Sequence, residues 1–142
     1  MKKIQLIFTL MLLSQLTYTQ DILTARSQGV GANVTVTGVI TNGDELGPIR
    51  YIEDATAGLA LYDLTTNVLL SSCVRGDSIT VSGTLVDYNG LLELNPTSAA
   101  FIHSNGNTLP TPQNVTPNQI GEATESELVQ IDNVIFNSGG SL

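Results

Sequence analysis

Residues 31–40 read GANVTVTGVI and residues 76–85 read GDSITVSGTL, and the architecture follows from setting one beside the other. At a constant offset of 45 residues, Gly31, Thr35, Val36 and Gly38 recur as Gly76, Thr80, Val81 and Gly83. Val34 and Ile40 recur as Ile79 and Leu85, so the apolar row is kept along with the glycines. Such self-similarity marks a repeated structural unit. Within each copy apolar and polar residues alternate, the period of a half-buried strand. Val34, Val36 and Ile40 belong to one face, and Thr35, Thr37 and Thr41 to the other. Gly38 and Gly83 fall on the apolar row. Glycine inside a patterned strand marks a bend or a close approach, and here a side chain would collide with the opposite wall of a small closed barrel.

Between the two copies, PIRYIE (48–53) and LALY (59–62) are strand-like and flank a turn from Asp54 to Gly58. Asp54 suits that turn by bonding its own backbone and Gly58 by tolerating positive φ. The stretch DLTTNVLLSSC (63–73) reads as a short helix, with Asp63 as N-cap and Leu64, Val68 and Leu69 along one side. After the second copy, Asn89-Gly90 is a two-residue hairpin signal leading into LLELN (91–95), which Pro96 stops. The order is three strands, a short helix, then two strands. That order describes an all-β fold, the five-stranded Greek-key barrel of the OB-fold class with a short helix between strands three and four. A β-sandwich needs about seven strands in a similar length.

The chain has 142 residues, 13 of them acidic and 5 basic, with a single Cys and a single His. Hydrophobic residues make up 42 % and charged ones 13 %, which excludes the charged, apolar-poor composition of a disordered chain. One Cys and one His exclude a Cys/His zinc site and an internal disulfide. Cys73 follows an apolar run and reads as a small buried hydrophobe. No cofactor motif is present, and none is expected.

Lys2 and Lys3, the apolar run IQLIFTLMLLSQL and the exit TYTQ form the pattern of a secretory signal peptide, residues 1–19. The run is short of the roughly 20 residues a membrane span needs, so no span is expected once the signal is cleaved. The location implied is secreted or cell-surface. Without the signal, Arg26, Arg50 and Arg75 face all 13 acids, a net charge of −10. That balance argues against a protein whose main task is gripping phosphates.

Residues 24–103 hold the barrel module. Residues 104–126 carry three prolines and four asparagines and read as a linker. ELVQIDNVIF (127–136) then restarts the strand pattern, with Val129, Ile131 and Ile135 matching Val34, Val36 and Ile40 at an offset of 95. Residues 127–142 are therefore read as the first strand of a second, truncated module within a longer chain.

The runs VTVTGVITNG, LGPIRYIEDATAGLALYD and GDSITVSGTLVDYNGLLEL together resemble an OB-fold module of secreted bacterial multidomain proteins. In that family such modules accompany extracellular nucleases, phosphoesterases and lamin-tail-like domains. The resemblance covers residues 24–103, and its most distinctive step is YIEDATAG. It implies a nucleic-acid-binding-like module whose catalysis belongs to other domains, which would be partners within the same longer chain.

OB barrels that bind oligonucleotides use the face of strands two and three, stacking bases on aromatics and tracking phosphates with Lys or Arg. On that template the ligand-binding candidates are Arg50, Tyr51, Tyr62, Tyr88 and Asn89, with single-stranded nucleic acid as the ligand class. Arg50 and Tyr51 alternate, so either one faces outward. Eight acids against two arginines in residues 29–103 weigh the other way, and the tyrosines suit barrel core or rim equally well. Asn42, Asp44, Glu45 and Asp63 lack the spacing of a Ca²⁺ loop and read as solvated, so no metal is expected. Arg75-Gly76-Asp77-Ser78 spells an adhesive tetrapeptide, but it stands where a turn must lead into strand four. His103 has no partner pattern for nucleophilic catalysis, and no carboxylate pair is singled out by spacing. The module is read as non-catalytic. The alternatives are a structural spacer or protein- or glycan-binding module of a cell-surface protein, and a piece of a secreted nuclease or phosphoesterase whose catalytic domain lies elsewhere.

Overall fold

The computed structural model describes residues 19–65 and 68–135. The signal-peptide reading, Thr19 apart, and the end of the chain from residue 136 lie outside the described residues. A short helix α1 (Ile22–Ser27) precedes strands β1 (Asn33–Ile40), β2 (Ile49–Glu53), β3 (Gly58–Tyr62), β4 (Ser78–Tyr88), β5 (Leu91–Pro96) and β6 (Phe101–Ser104). The sheet runs β1-β2-β3-β5-β4, and β4 pairs back onto β1 to close a five-stranded barrel. All these pairings are antiparallel except β3 with β5, which is parallel.

The two repeat copies are each other's partners. Val36 stands opposite Val81, and the register places Val34 against Gly83 and Gly38 against Ile79. Because the copies run antiparallel about the Val36–Val81 pair, each glycine faces the first apolar residue of the other copy. On the outer side the polar rows pair as well. Thr35 Oγ1 lies 2.7 Å from Ser82 Oγ, and Thr37 Oγ1 lies 2.6 Å from Thr80 Oγ1. Cross-strand hydroxyl pairs of this kind add to a sheet's stability.

Strand β4 is the longest and serves three neighbours. One edge carries β1 along residues 78–84; the other is divided, β5 taking residues 83–88 and β6 residues 78–80. The alternation seen in the sequence is the burial pattern: Val34, Val36, Ile40, Ile79, Val81 and Leu85 all point into the core. Ile52, Leu59, Leu61 and Leu94 complete it. Each such side chain contributes about 1.5–3 kcal/mol by leaving water.

The inward glycines are needed for a different reason from the one expected. A β-carbon on Gly38 would lie 3.0 Å from the Glu53 carbonyl oxygen, and one on Gly83 would lie 2.3 Å from that of Asn95. The obstacle is the adjacent strand folding over the glycine, not the far wall. Gly58 also departs from expectation. Its φ is not positive; instead, a β-carbon there would lie 2.2 Å from the Ser126 carbonyl oxygen. Asn89 and Gly90, with φ of 55° and 93°, form the tight β4–β5 turn as expected.

The short helix expected over 63–73 is not there among the described residues, which make turns. The helix α1 comes before β1 instead. Asp21 caps it by accepting the Thr24 N–H at 2.7 Å, and Ile22 and Ala25 sit in the core. Its Ile22 N–H also donates to Asp54 Oδ2 at 2.8 Å, fixing it at the β2–β3 turn. At 63–73, Asp63 accepts the N–H groups of Thr65, Leu69 and Leu70, so its carboxylate organises a loop where a helix cap was expected. That loop sends Leu70 and Cys73 into the core.

Past β6 the chain lies back along the barrel. The Asn107 N–H donates to the Gly76 carbonyl at 2.7 Å, and Asn105 Nδ2 to Asp77 Oδ1 at 2.8 Å. Asp77, buried within the adhesive-like tetrapeptide, thus holds a turn. Two short strands, β7 (Gln113–Asn114) and β8 (Val129–Gln130), pair in parallel. Arg26 Nη2 bridges Glu122 at 3.1 Å and Glu125 at 2.9 Å, and the Leu128 N–H donates to Glu53 Oε2 at 2.9 Å. The stretch read as a linker therefore runs over the outer surface of β2 and β3.

Candidate ligand-binding cleft

The outer face of β2, β3, β5 and β4 is continuous, and its rows follow from register. Tyr51 stands opposite Ala60, Ala60 opposite Glu93, and Glu93 opposite Val86. One step along, Ile49 stands opposite Tyr62, and Leu91 opposite Tyr88. These rows bound a cleft of about 520 Å³. Tyr62 and Tyr88 supply aromatic walls, with Ile49, Val86 and Leu91 between them. Tyr88 is 65 % exposed.

Two acceptors lie at the bottom. Glu93 is only 4 % exposed, yet among the described residues no donor or cation reaches its carboxylate. Burial pushes its pKa up. Beside it on the same strand face, Asn95 Oδ1 is buried without a hydrogen-bond partner. A buried polar atom left unpaired costs about 1–3 kcal/mol, so native proteins keep few of them. Asp87 adds a second carboxylate, and among the described residues no Lys, Arg or His lines the cleft.

The sequence-based candidates divide accordingly. Tyr62 and Tyr88 come together as walls of one cleft. Asn89 adjoins Tyr88 in the exposed turn. Tyr51 faces outward, under the returning chain, beside a smaller hollow of about 310 Å³ lined by Asn42, Ser126 and Leu128. Arg50, expected as a contact for phosphate, is corrected: it is 1 % exposed and points inward. Its guanidinium donates to the carbonyls of Gly47 at 2.7 Å, Ile49 at 3.0 Å and Cys73 at 3.2 Å. It ties the β1–β2 loop to the 68–73 turn and presents nothing to a ligand. Glu93 and Asn95 were not anticipated. The alternation in LLELN places both on the outward row, so the signal was present.

Among the described residues no group of three His, Cys, Asp or Glu side chains could hold a metal ion. His103 Nε2 lies 2.7 Å from Thr80 Oγ1 and packs its ring edge-on against Phe101. Burial pushes the Cys73 thiol up, and the Asp77 charge adds to it. A thiol so held is a poor nucleophile.

No family model matches the chain. It is 28 % identical over 110 residues to Endonuclease YhcR of Bacillus subtilis (strain 168), an alignment covering 69 % of this chain. The chain spans 9 % of that relative's length. Among solved structures it resembles the hypothetical protein ygiW from E. coli, with a TM-score of 0.50 and 14 % identity. That match covers 60 % of this chain and 89 % of the other, and likens the two in fold alone. No helix of the described residues is long and apolar enough to cross a membrane.

Proposed function

We propose that the chain is a non-catalytic binding module of OB-fold type, working as an accessory part of a longer, secreted bacterial protein. The observation that carries the reading is the cleft between Tyr62 and Tyr88, an aromatic-walled recess with unpaired acceptors at its base. The strand order with a parallel β3–β5 pair supports the OB-fold assignment. The likeness to a segment of a bacterial endonuclease supports single-stranded nucleic acid as ligand, since tyrosine faces stack on any base. The secreted location rests on the N-terminal sequence pattern.

A second reading, a protein-binding module, is favoured by one feature of the same cleft. Its charged residues, among those described, are Asp87 and Glu93, and both carry the sign of a phosphate. Titrating the whole chain with labelled single-stranded oligonucleotides at low and physiological salt tests the first reading. Binding that falls with salt and is lost in Tyr62→Ala supports it, whereas no binding at low salt overturns it.

A further inference from the structure

We propose that the Tyr62–Tyr88 cleft is a receptor for the guanidinium group of an arginine side chain on a partner polypeptide. The inference rests on the reading of the chain as a binding module and takes the protein-binding alternative to named atoms. Its starting point is Glu93. The residue is 4 % exposed, its carboxylate oxygens reach solvent only at the cleft, and among the described residues no cation or donor stands beside them. Among the described residues the other buried carboxylates are engaged. Asp63 accepts three backbone N–H groups, Asp77 accepts from Val74 and Asn105, and Glu53 accepts from Leu128. Glu93 alone among them faces a cleft and has nothing to bond.

The chemistry of the missing partner follows from what surrounds that carboxylate. It must be cationic, because Glu93 and Asp87 are both acidic and, among the described residues, no basic one lines the recess. It must carry more than one donor, because Asn95 Oδ1 waits unpaired two residues along the same strand. It must tolerate apolar and aromatic walls, because Ile49, Val86, Leu91, Tyr62 and Tyr88 form the sides. A guanidinium meets all three conditions. Its planar fork engages a carboxylate with two N–H groups and has others left for a neighbouring acceptor. Its face stacks on tyrosine, and its methylene stem lies along apolar surface. An ammonium group lacks the plane and the fork. A nucleobase could donate to Glu93, but the phosphates attached to it would approach a surface whose cleft holds only negative charge.

The experiment uses the whole chain and tyrosine fluorescence, which the absence of Trp leaves free of interference. Three probes are titrated: the peptide acetyl-Gly-Arg-Gly-amide, the same peptide with neutral citrulline in place of arginine, and a short single-stranded oligonucleotide. The arginine peptide binds, and the citrulline peptide binds at least about tenfold more weakly, as loss of a charge-assisted pair requires. Glu93→Gln weakens the arginine peptide by a similar factor while leaving the fold intact, and Asn95→Leu weakens it less. Carbon-detected NMR adds an independent readout, since the Glu93 carboxyl titrates at lower pH with the arginine peptide bound. Equal binding of the two peptides, or an unchanged affinity in Glu93→Gln, overturns the proposal. So does an oligonucleotide that displaces the arginine peptide and itself depends on Glu93, an outcome that leaves the nucleic-acid reading standing. Absence of any peptide binding overturns the arginine site without touching the oligonucleotide result.

Discussion

Gly83 and Asn95 touch backbone to backbone: a β-carbon added to Gly83 would sit 2.3 Å from the Asn95 carbonyl oxygen and 2.5 Å from Leu94 Cδ2. At this point β4 is flanked by β1 on one edge and β5 on the other, so the strands have nowhere to retreat. Gly83→Ala is expected to cost about 3 kcal/mol, the upper part of the overpacking range. Gly38→Ala, with its nearest obstacle at 3.0 Å, is expected to cost about 1 kcal/mol. Urea denaturation followed by circular dichroism measures both, and equal effects would discredit the distances as the cause.

Arg50 holds three carbonyl groups from the inside of the fold. Arg50→Leu keeps much of the bulk and abandons all three, and is expected to destabilise by about 2–4 kcal/mol. The same change should leave the salt dependence of any ligand binding untouched, because the guanidinium never meets the ligand. A measured loss of affinity at unchanged stability would show that the side chain can turn outward.

Glu93 and Asp63 are expected to respond to pH in opposite senses. Burial raises the Glu93 pKa in the folded state, so the folded protein holds that proton more tightly than the unfolded chain does. Its ionisation costs stability as pH rises from the ordinary glutamate range through the raised value, and the full cost persists above. Glu93→Gln should therefore melt higher than the parent near pH 7, with the advantage vanishing as pH falls through the ordinary glutamate range. For Asp63, burial pushes the pKa up, but the Thr65 hydroxyl and the N–H groups of Thr65, Leu69 and Leu70 outweigh it and hold the carboxyl low. That stability is present above the ordinary aspartate value and is lost as pH falls through the lowered one. Asp63→Asn should melt lower than the parent near pH 7 and converge with it in acid. Melting temperatures across the acid range decide both.

Gly58 leaves room for the returning chain, whose Ser126 carbonyl occupies the space a side chain would fill. Gly58→Ala is expected to lift residues 124–128 off β3 and to break the bond from Leu128 to Glu53. Hydrogen exchange at the Leu128 amide should accelerate strongly while core amides such as those of Val36 and Val81 keep their protection. Loss of protection across the barrel would instead make the returning segment part of the fold's core.

Much of the barrel was readable because alternation and glycine placement are local signals with long-range meaning. Val36 and Val81 could be matched by eye at an offset of 45, and their direct pairing is the structural expression of that match. The helix at 63–73 was misread because Asp63 followed by Leu64, Val68 and Leu69 satisfies a cap-and-stripe pattern. Its carboxylate instead collects loop N–H groups, and the true helix at 22–27 had shown its signal only in Asp21, Ile22 and Ala25. The choice between Arg50 and Tyr51 could not be made from alternation, because no rule says which row of a strand faces inward when a cation and an aromatic compete. Three carbonyls converging on Arg50 decided it, and they come from segments up to 23 residues away. The return of the chain over β2 and β3 was illegible for the same reason: it depends on a carbonyl at 126 meeting a glycine at 58.

The antiparallel match of the two repeat copies also governs how the molecule comes together. Thr35 and Ser82 are bonded although 47 residues separate them, so the barrel closes only after a long loop has been gathered in. Contacts so distant form late, and folding is slow for the size of the domain. Until closure, each copy is an unpaired strand whose natural complement is nearly its own sequence. At high concentration the complement can come from a neighbouring molecule, so the symmetry that seals one barrel also makes the chain prone to exchanging strands with its like.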